Sequence, residues 1–160
     1  MSVNRNEITK YFELKSFDLV RSIKTIIPLK KQRRQVMKKQ ITTNNAPAAI
    51  GPYSQGTLTN GILYVSGQLP LDVKTGEMAV GIAAQTKQIL ENIKAIVTEA
   101  GGTMDNVVRC GVFLQDMNDF AEMNEVYKTF FNDPAPARTT VQVAGLPKDV
   151  PIEIEAVAII

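Results

Sequence analysis

Pro134-Ala-Pro-Ala-Arg138-Thr-Thr-Val-Gln-Val-Ala-Gly145-Leu-Pro-Lys-Asp149-Val-Pro-Ile-Glu153-Ile-Glu-Ala-Val-Ala-Ile-Ile160 contains two runs of alternating residues around a Gly-Leu-Pro-Lys-Asp turn. Period-two alternation bounded by Gly and Pro predicts two β-strands. In the first, Arg138, Thr140 and Gln142 share one face, and Val141 and Val143 share the other. In the second, Ile152, Ile154, Ala156 and Ala158 share one face. The opposite face opens with Glu153 and Glu155 and continues as Val157 and Ile159. Charges at strand ends, on faces otherwise uncharged or apolar, are costly unless paired or used. The pattern points to a small pocket for an acidic ligand.

Upstream of this stretch, a short strand from Lys38 leads into the turn-rich segment Asn44 to Gly56. Thr57–Asn60 and Ile62–Ser66 flank Asn60-Gly61, a dipeptide that suits a two-residue hairpin. Val80 to Ala100 is predicted to be a helix. Ile82, Thr86, Ile89, Leu90, Ile93, Ile96 and Val97 recur at 3.6-residue spacing, and Gly101-Gly102 ends the run. Val107 to Asp116 reads as a strand. Asp119 and Glu122 have the spacing of a capping box opening a second helix, with Phe120, Met123, Tyr127 and Phe130 inward. The order β-β-β-α-β-α-β-β implies an α+β domain, a single mixed sheet with both helices on one face.

The chain has 160 residues, 44% of them apolar, enough for one domain with a real core. Its net charge of +2 conceals an asymmetry. Residues 1–39 carry eleven basic and three acidic side chains, net +8, and residues 40–160 carry seven and thirteen, net −6. Residues 1–36 therefore read as a basic leader outside the fold, and residues 37–160 as the domain. Met37 opens a plausible start, so translated sequence upstream of the natural start is favoured over a targeting peptide. Glu7, Glu13 and Asp18 weigh against targeting. A surface or partner-binding tail is the third reading. The expected location is the cytoplasm, or an organelle if the leader is a transit peptide. Nothing approaches the roughly 18 apolar residues that would span a membrane.

The single cysteine, Cys110, excludes an intramolecular disulfide. With no histidine in the chain, His-assisted triads and His-ligated zinc hydrolase sites are excluded. No Walker loop, dinucleotide fingerprint or nucleophile elbow is present. Chemistry must come from Arg, Glu, Ser, Tyr, Asn, Thr and backbone groups.

Five motifs occur in order: Ala46-Pro-Ala-Ala-Ile-Gly-Pro-Tyr53-Ser-Gln-Gly56, Ser66-Gly-Gln68, Asn118-Asp-Phe120 with Asn124, Pro136-Ala-Arg138, and Ile152-Glu-Ile-Glu-Ala156. Together they resemble the Rid family, also called YjgF, the reactive intermediate deaminases, over about residues 38–160. The resemblance implies a homotrimer whose sheets form a central barrel, with sites in the clefts between subunits. It also implies hydrolysis of 2-imino acids to 2-keto acids and ammonia, with no cofactor and no metal. Catalytic roles are implied for Glu153, Arg138, Ser66 and Tyr53, and substrate contacts for Arg138, Asn124, Gly67 and Thr140. Arg138 would pair with the substrate carboxylate and Glu153 would activate a water. Many bacterial members carry cysteine where this chain has Thr140, which implies tuning, since the hydrolysis needs no thiol.

Plainer readings stand beside these. Arg138 could serve a structural ion pair, Tyr53 could fix its loop, and Ser66 and Asn124 could satisfy buried backbone groups. Glu155 reads as a solvated or subunit-contact glutamate, and Cys110 as a small core residue. A non-catalytic binder of small carboxylic acids would use the same Arg138 pocket. A translation inhibitor or endoribonuclease is the weaker alternative, because a body of net −6 repels phosphate backbones.

Overall fold

A computed structural model describes residues 37–160; the leader expected over residues 1–36 lies outside the described residues. The strands are β1 (Lys39–Ile41), β2 (Gly56–Thr59), β3 (Ile62–Gln68), β4 (Val107–Leu114), β5 (Ala137–Gln142) and β6 (Ile152–Ile159). The helices are α1 (Ile82–Glu99), between β3 and β4, and α2 (Phe120–Tyr127), between β4 and β5. The strands form one sheet in the order β1-β2-β3-β6-β4-β5. Every pairing is antiparallel except β4 with β5. The fold is the α+β arrangement expected from the sequence.

Local chemistry accounts for the main elements. Asn60 and Gly61 both have positive φ (50° and 79°), so Thr59 pairs directly with Ile62 across a tight hairpin. The stripe expected for α1 is buried throughout, from Ile82 to Val97. Its end is a Schellman arrangement: Gly101, at φ 98°, donates to the Thr98 carbonyl, and Gly102 donates to that of Val97. Asn92, also buried, donates from Nδ2 to the carbonyls of Leu69 and Leu71 at 3.1 Å each and ties the loop between β3 and α1 to the helix.

The capping-box expectation is corrected. Asp119 makes no side-chain cap, whereas Asp116 accepts from Asn118 N–H in the preceding 3-10 turn. Glu122 instead accepts from the backbone N–H of Ala83, in the first turn of α1. It caps the first turn of a neighbouring helix.

The core lies between α1 and one face of the sheet, where Leu63, Cys110, Val112, Leu114, Ile152, Ile154 and Ala158 are fully buried. Among the described residues nothing covers the other face. Tyr64, Val141 and Ile159 are about half exposed on it.

Candidate active site

Arg138 stands on the edge strand β5, directly opposite Cys110 of β4. Strand alternation turns it to the helix side of the sheet, where it is partly buried against α2. Its Nη2 donates to Asn124 Oδ1 at 2.9 Å. Its guanidinium carbon lies 4.5 Å from the Tyr127 ring centroid and 5.5 Å from that of Phe120. The ion pairs among the described residues are Lys94–Glu91, Arg109–Glu155 and Lys128–Glu125. Arg138 enters none of them. The result is a held cation with unspent donors.

Thr140 follows two residues along the same face, opposite Val112, with its Oγ1 buried and unpartnered. Cys110 is fully buried, and burial pushes its thiol up, against the opposing effects of the Tyr127 hydroxyl and the two nearby arginines. It is core, as expected.

Glu153 belongs to the other face. On β6 it alternates with the fully buried Ile152 and Ile154, so its carboxylate emerges on the uncovered side. A Cβ on Gly67 would overlap Glu153 Oε1, so the carboxylate lies against the Gly67 backbone. Ser66 and Gly67 form a β-bulge: Val65 pairs with Ala156 and Gln68 with Ile154, leaving two residues of β3 opposite Glu155. Desolvation, then the nearby charge of Glu155, raises the Glu153 carboxyl above the usual range. Glu155 differs. It accepts from Arg109 at 3.1 Å, and a Cβ on Gly111 would meet its Oε1 at 2.8 Å. Of the two glutamates, Glu153 is the one without an ion-pair partner among the described residues.

The Tyr53 loop sits beside the bulge. Ser66 Oγ donates to the Ser54 carbonyl at 2.6 Å and Ser66 N–H to that of Gln55 at 3.0 Å. Ser66 therefore does the backbone work its plainer reading assigned, and its hydroxyl oxygen can still accept. Buried Gln55 in turn ties the loop to Thr43, Ala46 and Pro47. Tyr53, half exposed, lines a small cavity with Ile50, Gly67, Leu69 and Lys148.

The candidate residues thus fall into two groups. Arg138, Asn124 and Thr140 lie on the helix side of the sheet. Glu153 and Gly67 lie on the uncovered side, with Ser66 and Tyr53 beside them. Arg138 and Glu153 are three register steps and two strands apart, about 10 Å in each direction, with the sheet between them. A single chain does not bring them into one pocket. The sequence reading did not foresee Phe120 and Tyr127 as contacts of Arg138. Their signal was the i, i+4, i+7 spacing with Asn124, read only as an inward face. Lys148 had no signal beyond its turn.

Among the described residues no helix is long and apolar enough to cross a membrane. A family model described as Endoribonuclease L-PSP matches residues 43–160. A RutC family protein of Pyrococcus horikoshii is 54% identical over 123 residues, which cover 76% of this chain and 98% of that protein. A 2-iminobutanoate/2-iminopropanoate deaminase of Escherichia coli K12 is 52% identical over 126 residues, covering 77% and 98% respectively. The crystal structure of E. coli TdcF with bound serine superposes with a TM-score of 0.73 at 48% identity, covering 76% of this chain and 98% of that one. With the family model spanning nearly all of the folded domain and these relatives matched over almost their whole length, the chain belongs to the Rid (YjgF) family.

Proposed function

We propose that this protein hydrolyses 2-imino acids to 2-keto acids and ammonia. The observation that carries the reading is Arg138, a partly buried guanidinium held by an amide and two rings, with no carboxylate partner among the described residues. Such a fork suits a substrate carboxylate in bidentate geometry. The deaminase name of the E. coli relative supports the same substrate class.

Because Arg138 and Glu153 occupy opposite sides of the sheet, the complete site is built between copies in a homotrimer. One chain supplies Arg138, Asn124 and Thr140. Its neighbour supplies Glu153, Gly67, Ser66 and Tyr53 from its uncovered face, which the assembly also buries. Arg138 fixes the imino acid through its carboxylate, and Glu153 holds a water near the imine carbon. Glu153 takes one water proton as the water oxygen bonds to C2 of the protonated imine, and the C=N double bond becomes a C–NH2 single bond. The neutral tetrahedral amino alcohol then collapses. Glu153 returns its proton to the nitrogen, the C–N bond breaks as ammonia leaves, and the hydroxyl gives up its remaining proton to solvent as its oxygen becomes the keto group. A carboxyl raised above its ordinary range is a better proton acceptor near neutrality. An imine is already electrophilic, so orientation and one base suffice.

The test generates 2-iminopropanoate with an amino-acid oxidase and follows imine loss with and without the protein. Acceleration that disappears in Arg138→Ala is expected; an unchanged rate would reject the reading. The binder reading predicts 2-ketobutyrate affinity without acceleration. The ribonuclease reading predicts cleavage of single-stranded RNA, which the net charge of −6 over residues 40–160 disfavours.

A further inference from the structure

We propose that Tyr127, assisted by Phe120, is a positioning residue for Arg138. Its ring face, and not its hydroxyl, fixes the guanidinium plane and leaves an N–H edge free for the substrate carboxylate. This rests on the deaminase reading above.

Phe120, Asn124 and Tyr127 recur at i, i+4 and i+7 on α2, so one stripe of one helix meets the guanidinium. The two rings approach at 4.5 and 5.5 Å, and Asn124 accepts one N–H at 2.9 Å. Arginine carries five N–H donors. Asn124 uses one. The aromatic faces accept none in the plane of the fork, so they restrain the group without competing for its donors. A carboxylate in their place would both occupy the fork and neutralise it. Rings and amide together fix plane and rotation while keeping the charge.

Tyr127 is itself held. It is 5% exposed, its ring lies 4.7 Å from that of Phe131, and its buried hydroxyl has no hydrogen-bond partner among the described residues. A contact this dry is in the stronger part of the cation–π range.

The experiment is calorimetric titration of 2-ketobutyrate into the full chain and its variants, alongside thermal melts. Tyr127→Leu is expected to weaken binding about threefold to thirtyfold, and Tyr127→Phe, which keeps the face, to return it to within about twofold. Arg138→Lys is expected to cost less in the Tyr127→Leu background than in the wild type, because an unrestrained fork has lost its advantage. A ring that merely filled the core would lower the melting temperature and leave that Arg-to-Lys difference unchanged. Phe120→Leu, whose contact is longer, gives a smaller loss of the same kind and carries the test if Tyr127→Leu does not fold. Wild-type affinity in the folded leucine variants overturns the proposal, as does a Tyr127→Phe loss as large as that of Tyr127→Leu. Failure of the wild type to bind 2-ketobutyrate overturns the deaminase reading and the positioning role together. Normal wild-type binding with an unaffected Tyr127→Leu removes the positioning role alone.

Discussion

Glu153 and Glu155 sit two residues apart on one strand face and differ in charge balance. Glu155 shares its charge with Arg109 in an exposed pair, a contact of small energetic value. Within one chain Glu153 is half-buried, has no ion-pair partner among the described residues and has a raised carboxyl. A raised folded-state value means the folded protein binds the proton more tightly than the unfolded chain. The carboxyl is therefore neutral and harmless to stability below about pH 4.3, and stability falls as pH rises through the window up to the raised value. Above that window the ionised Glu153 is a net cost. Glu153→Gln should accordingly melt higher than wild type there, with the gap closing at acid pH, while turnover falls about 10²- to 10⁴-fold. Differential scanning calorimetry across pH and the imine assay check both halves. In the wild type, kcat/KM should fall on the acid side at a higher pH than an ordinary glutamate would give. Gly67→Ala adds a methyl where Glu153 Oε1 now lies, so the carboxylate must move. A rate loss of about a hundredfold in a folded protein is expected; full activity would show that Glu153 works from another position.

At the scale of elements, two side chains join segments that the backbone ladder does not. Asn92 satisfies the carbonyls of Leu69 and Leu71 from inside α1. Asn92→Leu leaves both without their partner and should cost about 2 kcal/mol or more, read as a lower urea midpoint with an unchanged slope. Glu122, exposed, caps the first turn of α1, and Glu122→Ala should cost about 0.5–1 kcal/mol. The two losses should add, since the sites lie in different turns of α1 and share no hydrogen-bond partner. Strong coupling between them would mean that α2 and the loop after β3 move as one body.

For the whole molecule, the uncovered apolar face and the split site lead to one expectation. Light scattering should give three times the chain mass. Tyr64→Glu, placing a charge on that face, should yield a folded monomer that no longer turns over imine, because one chain holds Arg138 and Glu153 on opposite sides of its sheet. An active monomer would defeat the shared-site proposal. The trimer's melting temperature should also rise with protein concentration, as it does for any state stabilised by association.

What the sequence by itself determined was whatever depends on spacing along the chain. The 3.6-residue stripe of α1, the alternation in β6, the Asn60-Gly61 turn and the five motifs of the family are local or ordered patterns. The element order and the family follow from them. The tertiary structure decided which side of the sheet each alternating face occupies. Alternation in β5 separates Arg138 and Thr140 from Val141, and by the usual rule the polar set would face water. Instead β5 lies at the sheet edge, where Arg138 meets the aromatic and amide stripe of α2, and Val141 joins the uncovered apolar face. The same limit misassigned the capping role of Glu122, whose carboxylate accepts from an N–H in another helix. Alternation fixes relative sides within a strand; only pairing and helix packing say which side is covered, because burial is a property of neighbours distant in the chain.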